Sequence, residues 1–250
     1  MNLRIVALIV LALSIDVGRA GPTDAVVRLK SHGGSGTAIA TGDGWTLILS
    51  CAHCFEGRDR NRPITVDMPH PAPGAPKKVG LQVLAVGQTE VSDLSLVKLN
   101  FGPVPYVTPV AAASTKPREC WSVGFDEMRM PPQCRPAKIL RQDGNVYYTD
   151  ARPWHGRSGG ALIDKTSGNL VGVVSAYTGP SNHAEYHPGA NGVYVSLSAI
   201  HRFLAKAGVK GTSPETPIGD DDGERFRISP KRSPFDYPGT CPVPIPGQRH

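Results

Sequence analysis

Three features are scarce in this chain, and each scarcity removes a class of function. There is no long Lys/Arg run and no basic stripe with interleaved aromatics, which make up only 6% of residues. The formal charge of +6 then reads as a solvated basic surface, and nucleic-acid binding is not indicated. Beyond the N-terminus no apolar run approaches the roughly 20 residues that a membrane-crossing helix needs, so no membrane span is expected in the mature chain. Cysteine is limited to five residues, Cys51, Cys54, Cys120, Cys134 and Cys241. The odd count leaves at least one thiol free or paired between chains.

What remains describes an exported globular protein. The 250 residues suffice for one large domain or two small ones. Arg4 precedes the apolar run Ile5 to Leu13, and Gly18-Arg19-Ala20 ends in a small residue. This is the build of a signal peptide over residues 1–20, with export to the periplasm or the medium as the expected localisation. Export permits disulfides. Cys120 with Cys134 would close a Pro-containing loop, while Cys51 and Cys54 could pair locally or one could reach Cys241.

The body of the chain is a series of short strands. Segments Ala25 to Leu29, Thr37 to Thr41, Trp45 to Ser50, Val79 to Val86 and Leu94 to Leu99 read as strands. His32 to Gly36 reads as a flexible turn, Gly42-Asp43-Gly44 as a hairpin turn, and Pro69 to Pro76 as a Pro-rich loop. Pro103 to Pro117 is an extended connector between two halves. The second half repeats the pattern at Cys120 to Phe125, Lys138 to Arg141, Val146 to Thr149, Ala161 to Asp164, Leu170 to Ala176 and Val193 to Ser196. Ser198 then caps a helix carrying Ile200, Phe203, Leu204 and Ala207 on one face, with Gly208 ending it. From Val209 the composition turns to Pro and Asp, and residues 209–250 read as a disordered tail. Strands of this length and spacing predict small antiparallel barrels, with the domain over residues 21–208 and its halves at about 22–105 and 106–208.

The chemistry begins at Gly156-Arg157-Ser158-Gly159-Gly160-Ala161. A serine on a glycine turn, with amide groups directed to one side, suits attack on a carbonyl whose oxyanion those amides would receive. Ser50-Cys51-Ala52-His53-Cys54-Phe55 places a histidine after an apolar strand. Ser92-Asp93-Leu94 places a carboxylate at the head of another, where burial demands a donor such as a histidine N–H. In the order His53, Asp93, Ser158 they make a general base, its orienting carboxylate and a nucleophile.

These stretches resemble trypsin-like serine proteases. Leu49-Ser50-Cys51-Ala52-His53-Cys54 is similar to that family's "TAAHC", and Asp93-Leu94-Ser95-Leu96-Val97-Lys98-Leu99 to "DIALLKL". Gly156 to Ala161 is similar to "GDSGGP", Leu170 to Ser175 to the strand after the nucleophile, and Gly192-Val193-Tyr194-Val195-Ser196 to "GVYxxV". The resemblance spans about Val26 to Ala207. It implies an all-β fold of two antiparallel six-stranded barrels with a C-terminal helix, and an endopeptidase working through an acyl-enzyme. His53, Asp93 and Ser158 are then catalytic, and the amides of Gly156 and Ser158 form the oxyanion hole. Ser175, Ala176 and Tyr177 line the edge where substrate backbone pairs as an added strand. Polypeptide is the implied partner, with neither cofactor nor metal.

The departures are informative. Arg157 stands where animal trypsins carry the aspartate that receives a new N-terminal amine, and no Ile-Val-Gly-Gly follows Ala20. The pattern is closer to bacterial exported, HtrA-like peptidases, although no peptide-binding domain is recognisable after Ala207. Cys51 is unusual at a position where a small residue is expected. The pocket floor of trypsin maps to Arg152, which either forms a cationic pocket for an acidic side chain or points to solvent.

Three other readings arise. For a metal site, His183 and His187 are four apart and Cys51, His53 and Cys54 cluster, but Glu185 is misplaced for a zinc-protease helix, and the prolines around the histidine pair favour a loop. Cys51-Ala52-His53-Cys54 has thioredoxin-like spacing without a βαβ pattern around it. A catalytically silent binding protein on the same fold is the alternative to an enzyme.

Overall fold

The computed structural model describes residues 21–57, 64–69, 78–178 and 190–209. The signal peptide, nearly all of the Pro-rich loop, the His183–His187 stretch, Cys241 and all but the first residue of the tail lie outside the described residues. The described chain is all-β with two short α-helices. Its first half contains β1 (Val26–Leu29), β2 (Gly34–Gly42), β3 (Trp45–Ser50), β4 (Ile64–Asp67), β5 (Lys78–Val79), β6 (Leu81–Val86), α1 (Thr89–Ser92) and β7 (Ser95–Leu99). These strands form one antiparallel sheet in the order β5-β4-β1-β2-β3-β7-β6. The second half contains β8 (Glu119–Gly124), β9 (Gln133–Asp143), β10 (Val146–Thr149), β11 (Ala161–Asp164), β12 (Leu170–Tyr177) and β13 (Gly192–Ser196), followed by α2 (Leu197–Lys206). Those six strands close into a barrel in the order β10-β13-β12-β11-β8-β9.

The all-β architecture with one C-terminal helix is as expected. The first half differs in detail, being a curled seven-stranded sheet where a six-stranded barrel was expected. The extra strands come from a segment read as one run, Val79 to Val86, which breaks at Gly80, and from Ile64–Asp67, which has no counterpart among the expected strands. His32 to Gly36 is not a turn throughout: β2 begins at Gly34, and Gly34 to Gly36 pair with β1. The cap of α2 is Ser196 rather than Ser198.

Strand β3 shows why an unbroken apolar run appears in an antiparallel sheet. Leu47, Ile48 and Leu49 are all fully buried. Ile48 packs inside the first half with Val27, Leu29, Phe55 and Val97. Leu47 and Leu49 belong to the larger core shared with Val123, Phe125, Val173 and Tyr194 of the barrel. Each such side chain stabilises by about 1.5–3 kcal/mol on burial, so β3 is clamped on both faces. Its end is clamped too: Ser50 Oγ donates to Ser35 O at 2.7 Å, and Ser95 Oγ donates to Cys51 O at 3.0 Å. The next residues, including His53, therefore leave a fixed point.

Helix α2 buries Ile200, Phe203 and Leu204, as its apolar periodicity predicts, and His201 Nε2 bonds Ala111 O at 2.8 Å, tying the helix to the connector. The expected Cys120–Cys134 bridge is not formed, because Cys120 is a buried free thiol. Cys134 is not among the free thiols. Cys51 and Cys54 are also free thiols and do not pair.

Candidate active site

His53 stands on the turn after β3, and Asp93 follows α1 at the head of β7. Because β3 and β7 are neighbours, with Ser50 opposite Ser95, two residues forty positions apart come to the same sheet end. Asp93 Oδ1 accepts from the His53 backbone amide at 2.9 Å, and Oδ2 faces Nδ1 at 2.7 Å. A third donor, the Ser175 hydroxyl on β12, reaches Oδ2 at 2.6 Å. The carboxylate is 4% exposed and the imidazole 35%. Burial pushes the Asp93 carboxyl up, but the hydrogen bonds from His53 and Ser175 outweigh it and hold it below the usual carboxylate range. Asp93 is thus a buried, fully engaged anion that fixes which imidazole nitrogen carries its proton.

Ser158 reaches this place from the barrel. Its carbonyl accepts from Ser35 N at 2.7 Å, and Ser35 Oγ donates to Gly156 O at 2.7 Å. The loop is thereby sewn to β2. Close approach explains two of the glycines. A Cβ on Gly34 would stand 2.9 Å from Ser158 O and 2.4 Å from Cys54 Sγ. At Gly159, φ is +82° and a Cβ would lie 2.2 Å from both Ser35 O and Ser50 Oγ. The Ser158 turn, the end of β3 and the His53 turn therefore share one wall.

Ser158 is half-buried. Among the described residues its hydroxyl makes no hydrogen bond to the imidazole, whose Nε2 faces Cys51 Sγ at 3.6 Å. In this turn Arg157 N donates to Trp154 O at 3.1 Å and Gly159 N to Val174 O at 2.8 Å. Among the described residues no carbonyl takes the amide of Gly156 or of Ser158, which leaves both donors for an incoming oxygen.

Arg157 is the residue sequence reasoning could describe only as a departure. Its side chain is 1% exposed. Nε meets Asp126 Oδ1 at 2.7 Å, and Nη1 donates to Ser122 O at 3.0 Å and Ser122 Oγ at 3.1 Å. Asp126 also holds Arg135 at 2.6 Å. The residue before Ser158 is thus fixed through its side chain to β8 and the turn after it.

Of the residues expected along the substrate edge, Ser175, Ala176 and Tyr177 lie at the end of β12. The Ser175 side chain is turned to Asp93, to which its hydroxyl donates. The Arg152 guanidinium lies over the Tyr177 ring at 4.1 Å.

The fold and these residues agree with what known proteins show. The family described as trypsin-like peptidase domain matches residues 34–173. The chain belongs to that family. The peptidase is accordingly of the serine type, and its matched region holds His53, Asp93 and Ser158. No curated protein matches it by sequence. Among solved structures, it is similar to the inactive form of the Rv3671c protease of M. tuberculosis, at 22% identity and a TM-score of 0.52, over 75% of this chain and 90% of that one. It is also similar to the serine endoprotease of Yersinia pestis, at 20% identity and a TM-score of 0.55, over 74% of this chain and 63% of that one. Both likenesses concern the fold, the two-part β architecture described above.

Proposed function

We propose that the peptidase is an endopeptidase that cleaves polypeptides through an acyl-enzyme formed on Ser158. The hydroxyl attacks the scissile carbonyl while His53 Nε2 takes its proton. Asp93 holds the Nδ1–H tautomer and stabilises the imidazolium that results. The oxyanion moves toward the amides of Gly156 and Ser158, a device in which one donor lowers the barrier by about 3 kcal/mol. His53 then returns the proton to the leaving amine, and water, deprotonated by the same imidazole, releases the acyl group. Substrate backbone lies along β12 past Ala176 and Tyr177 as an added strand. Export after removal of residues 1–20 belongs to the same proposal.

The observation that carries this reading is the three-point hold on Asp93, from the His53 amide, the His53 ring and Ser175, beside a serine turn whose amides are unspent. A silent binding protein is the second reading, favoured by the contact of Nε2 with sulfur rather than with the Ser158 hydroxyl. Digestion of an unfolded protein substrate by the chain from Gly21 onward separates the two. Internal fragments that disappear with Ser158→Ala fit the endopeptidase. Intact substrate at every enzyme concentration and pH fits the silent protein.

A further inference from the structure

The Cys51-Ala52-His53-Cys54 turn brings three soft donor atoms together. Cys51 Sγ lies 3.1 Å from Cys54 Sγ and 3.6 Å from His53 Nε2, and all three donors fall within 4.8 Å of one another. Both thiols are buried and free. In a tetrahedral zinc site, with bonds of about 2.3 Å to sulfur and 2.0–2.1 Å to nitrogen, sulfur–nitrogen edges measure roughly 3.6 Å and sulfur–sulfur edges about 3.8 Å. The Cys51–His53 edge already fits, the sulfur pair must open by about 0.7 Å, and the Cys54–His53 edge, within 4.8 Å, must close toward the same value. The ring is prepared in the way metal-ligating imidazoles usually are. Nδ1 is held by a carboxylate that is itself hydrogen-bonded, leaving the Nε2 lone pair as the ligand.

We propose that Cys51, His53 and Cys54 form a site for a thiophilic divalent cation of the zinc type, and that its occupation turns the peptidase off. Binding releases to solvent the protons carried by the two sulfurs and by Nε2, and forms two metal–sulfur bonds and one metal–nitrogen bond. Of the three donors the imidazole is the one with solvent access, so water or substrate would complete the fourth position from that side. The inhibitory part rests on His53 being the base: a lone pair given to a metal cannot take a proton from Ser158. The metal-binding part stands without it. The same donors explain a cysteine at position 51, which the nucleophile chemistry does not use.

Cobalt(II) serves as the probe, because thiolate ligation gives a charge-transfer absorption that imidazole and carboxylate ligands do not. The full mature chain, reduced and freed of metal with a chelator, is titrated with cobalt and then with zinc in competition. One equivalent, with a thiolate band that zinc bleaches, is expected, and the band is lost in the Cys51→Ala/Cys54→Ala double variant. In parallel, zinc is expected to slow fluorophosphonate labelling of Ser158 at least tenfold in the wild type, reversibly on chelation, and to leave the double variant's labelling unchanged. If circular dichroism shows the double variant unfolded, Cys51→Ala alone carries the comparison. Absence of a thiolate band in the reduced wild type overturns the proposal. So does a band that survives in the variant, or a Cys51–Cys54 disulfide that reforms at once in the metal-free protein and excludes cobalt. Cobalt binding without any labelling of Ser158 in the metal-free protein would keep the site and sink the endopeptidase reading.

Discussion

Asp93 grips His53 at two points, the backbone amide at 2.9 Å and the ring Nδ1 at 2.7 Å, from a position 4% exposed. One carboxylate therefore sets both where the residue sits and which nitrogen faces the cleft. The chemistry proposed for the site follows from that double contact.

Replacing Asp93 by Asn removes the charge and can present an amide N–H where the ring needs an acceptor. The expected result is a folded protein with kcat/KM lowered by about 10⁴-fold, through loss of the correct tautomer. Ser175→Ala removes one hydrogen bond to the charged group, worth about 1.5–3 kcal/mol. A loss of at most roughly ten- to hundredfold follows. Steady-state kinetics with thermal melts check both. Equal losses from the two variants would contradict the assigned roles.

The pH profile carries a second signature. The hydrogen bond to Asp93, and after it the nearby Cys54 sulfur, raise His53 from 6.5 to about 10 in the reduced, metal-free protein. The folded value lies above the unfolded one, so this ionisation stabilises the fold fully below about pH 6.5 and is lost as the pH rises through about 10. Hydrolysis needs the neutral ring, so kcat/KM rises along an alkaline limb. Cys54→Ala is expected to move that limb to lower pH. A limb near neutrality that Cys54→Ala leaves in place would contradict the coupling.

Arg157→Ala leaves a hole in the wall beneath the nucleophile turn. Asp126 keeps Arg135 as a partner, so the cost falls at the lower end for breaking a buried ion pair, about 3 kcal/mol. The melting temperature is expected to fall by roughly 6–12 °C for a chain of this size, and Ser158 labelling to slow even well below the melt. Calorimetry and labelling rates test this. An unchanged melt would show that the buried pair is energetically neutral.

The Arg152–Tyr177 stack places a fixed cation beside the substrate edge. Peptides with Asp or Glu preceding the scissile bond are expected to be favoured, and Arg152→Ala to raise KM for those peptides with little change for neutral ones. Cleavage profiling of a peptide library checks both halves. A wild-type profile indifferent to acidic residues removes the idea.

Much of this was legible in the sequence because the informative stretches are short and rigid. β3, β10 and β11 appear at the bounds their apolar residues predict, since burial on both faces or tight hairpins leave little freedom. His53 and Asp93 could be paired in advance because a carboxylate at the head of a buried strand needs a donor. Two contacts escaped. The bond from Ser175 to Asp93 was not legible, because alternation along β12 does not say which neighbour a hydroxyl will meet. The Arg157–Asp126 pair depends on a turn after β8 with no periodic pattern. The clustering of Cys51, His53 and Cys54 is legible in the sequence, and only three dimensions show how close their donor atoms come.

The most direct test of the account is the site of fluorophosphonate modification in the metal-free, reduced mature chain, mapped by peptide mass spectrometry. The account predicts a single adduct on Ser158, abolished by Ser158→Ala and strongly slowed by His53→Ala. No adduct, or one carried by another residue and indifferent to both substitutions, would contradict it.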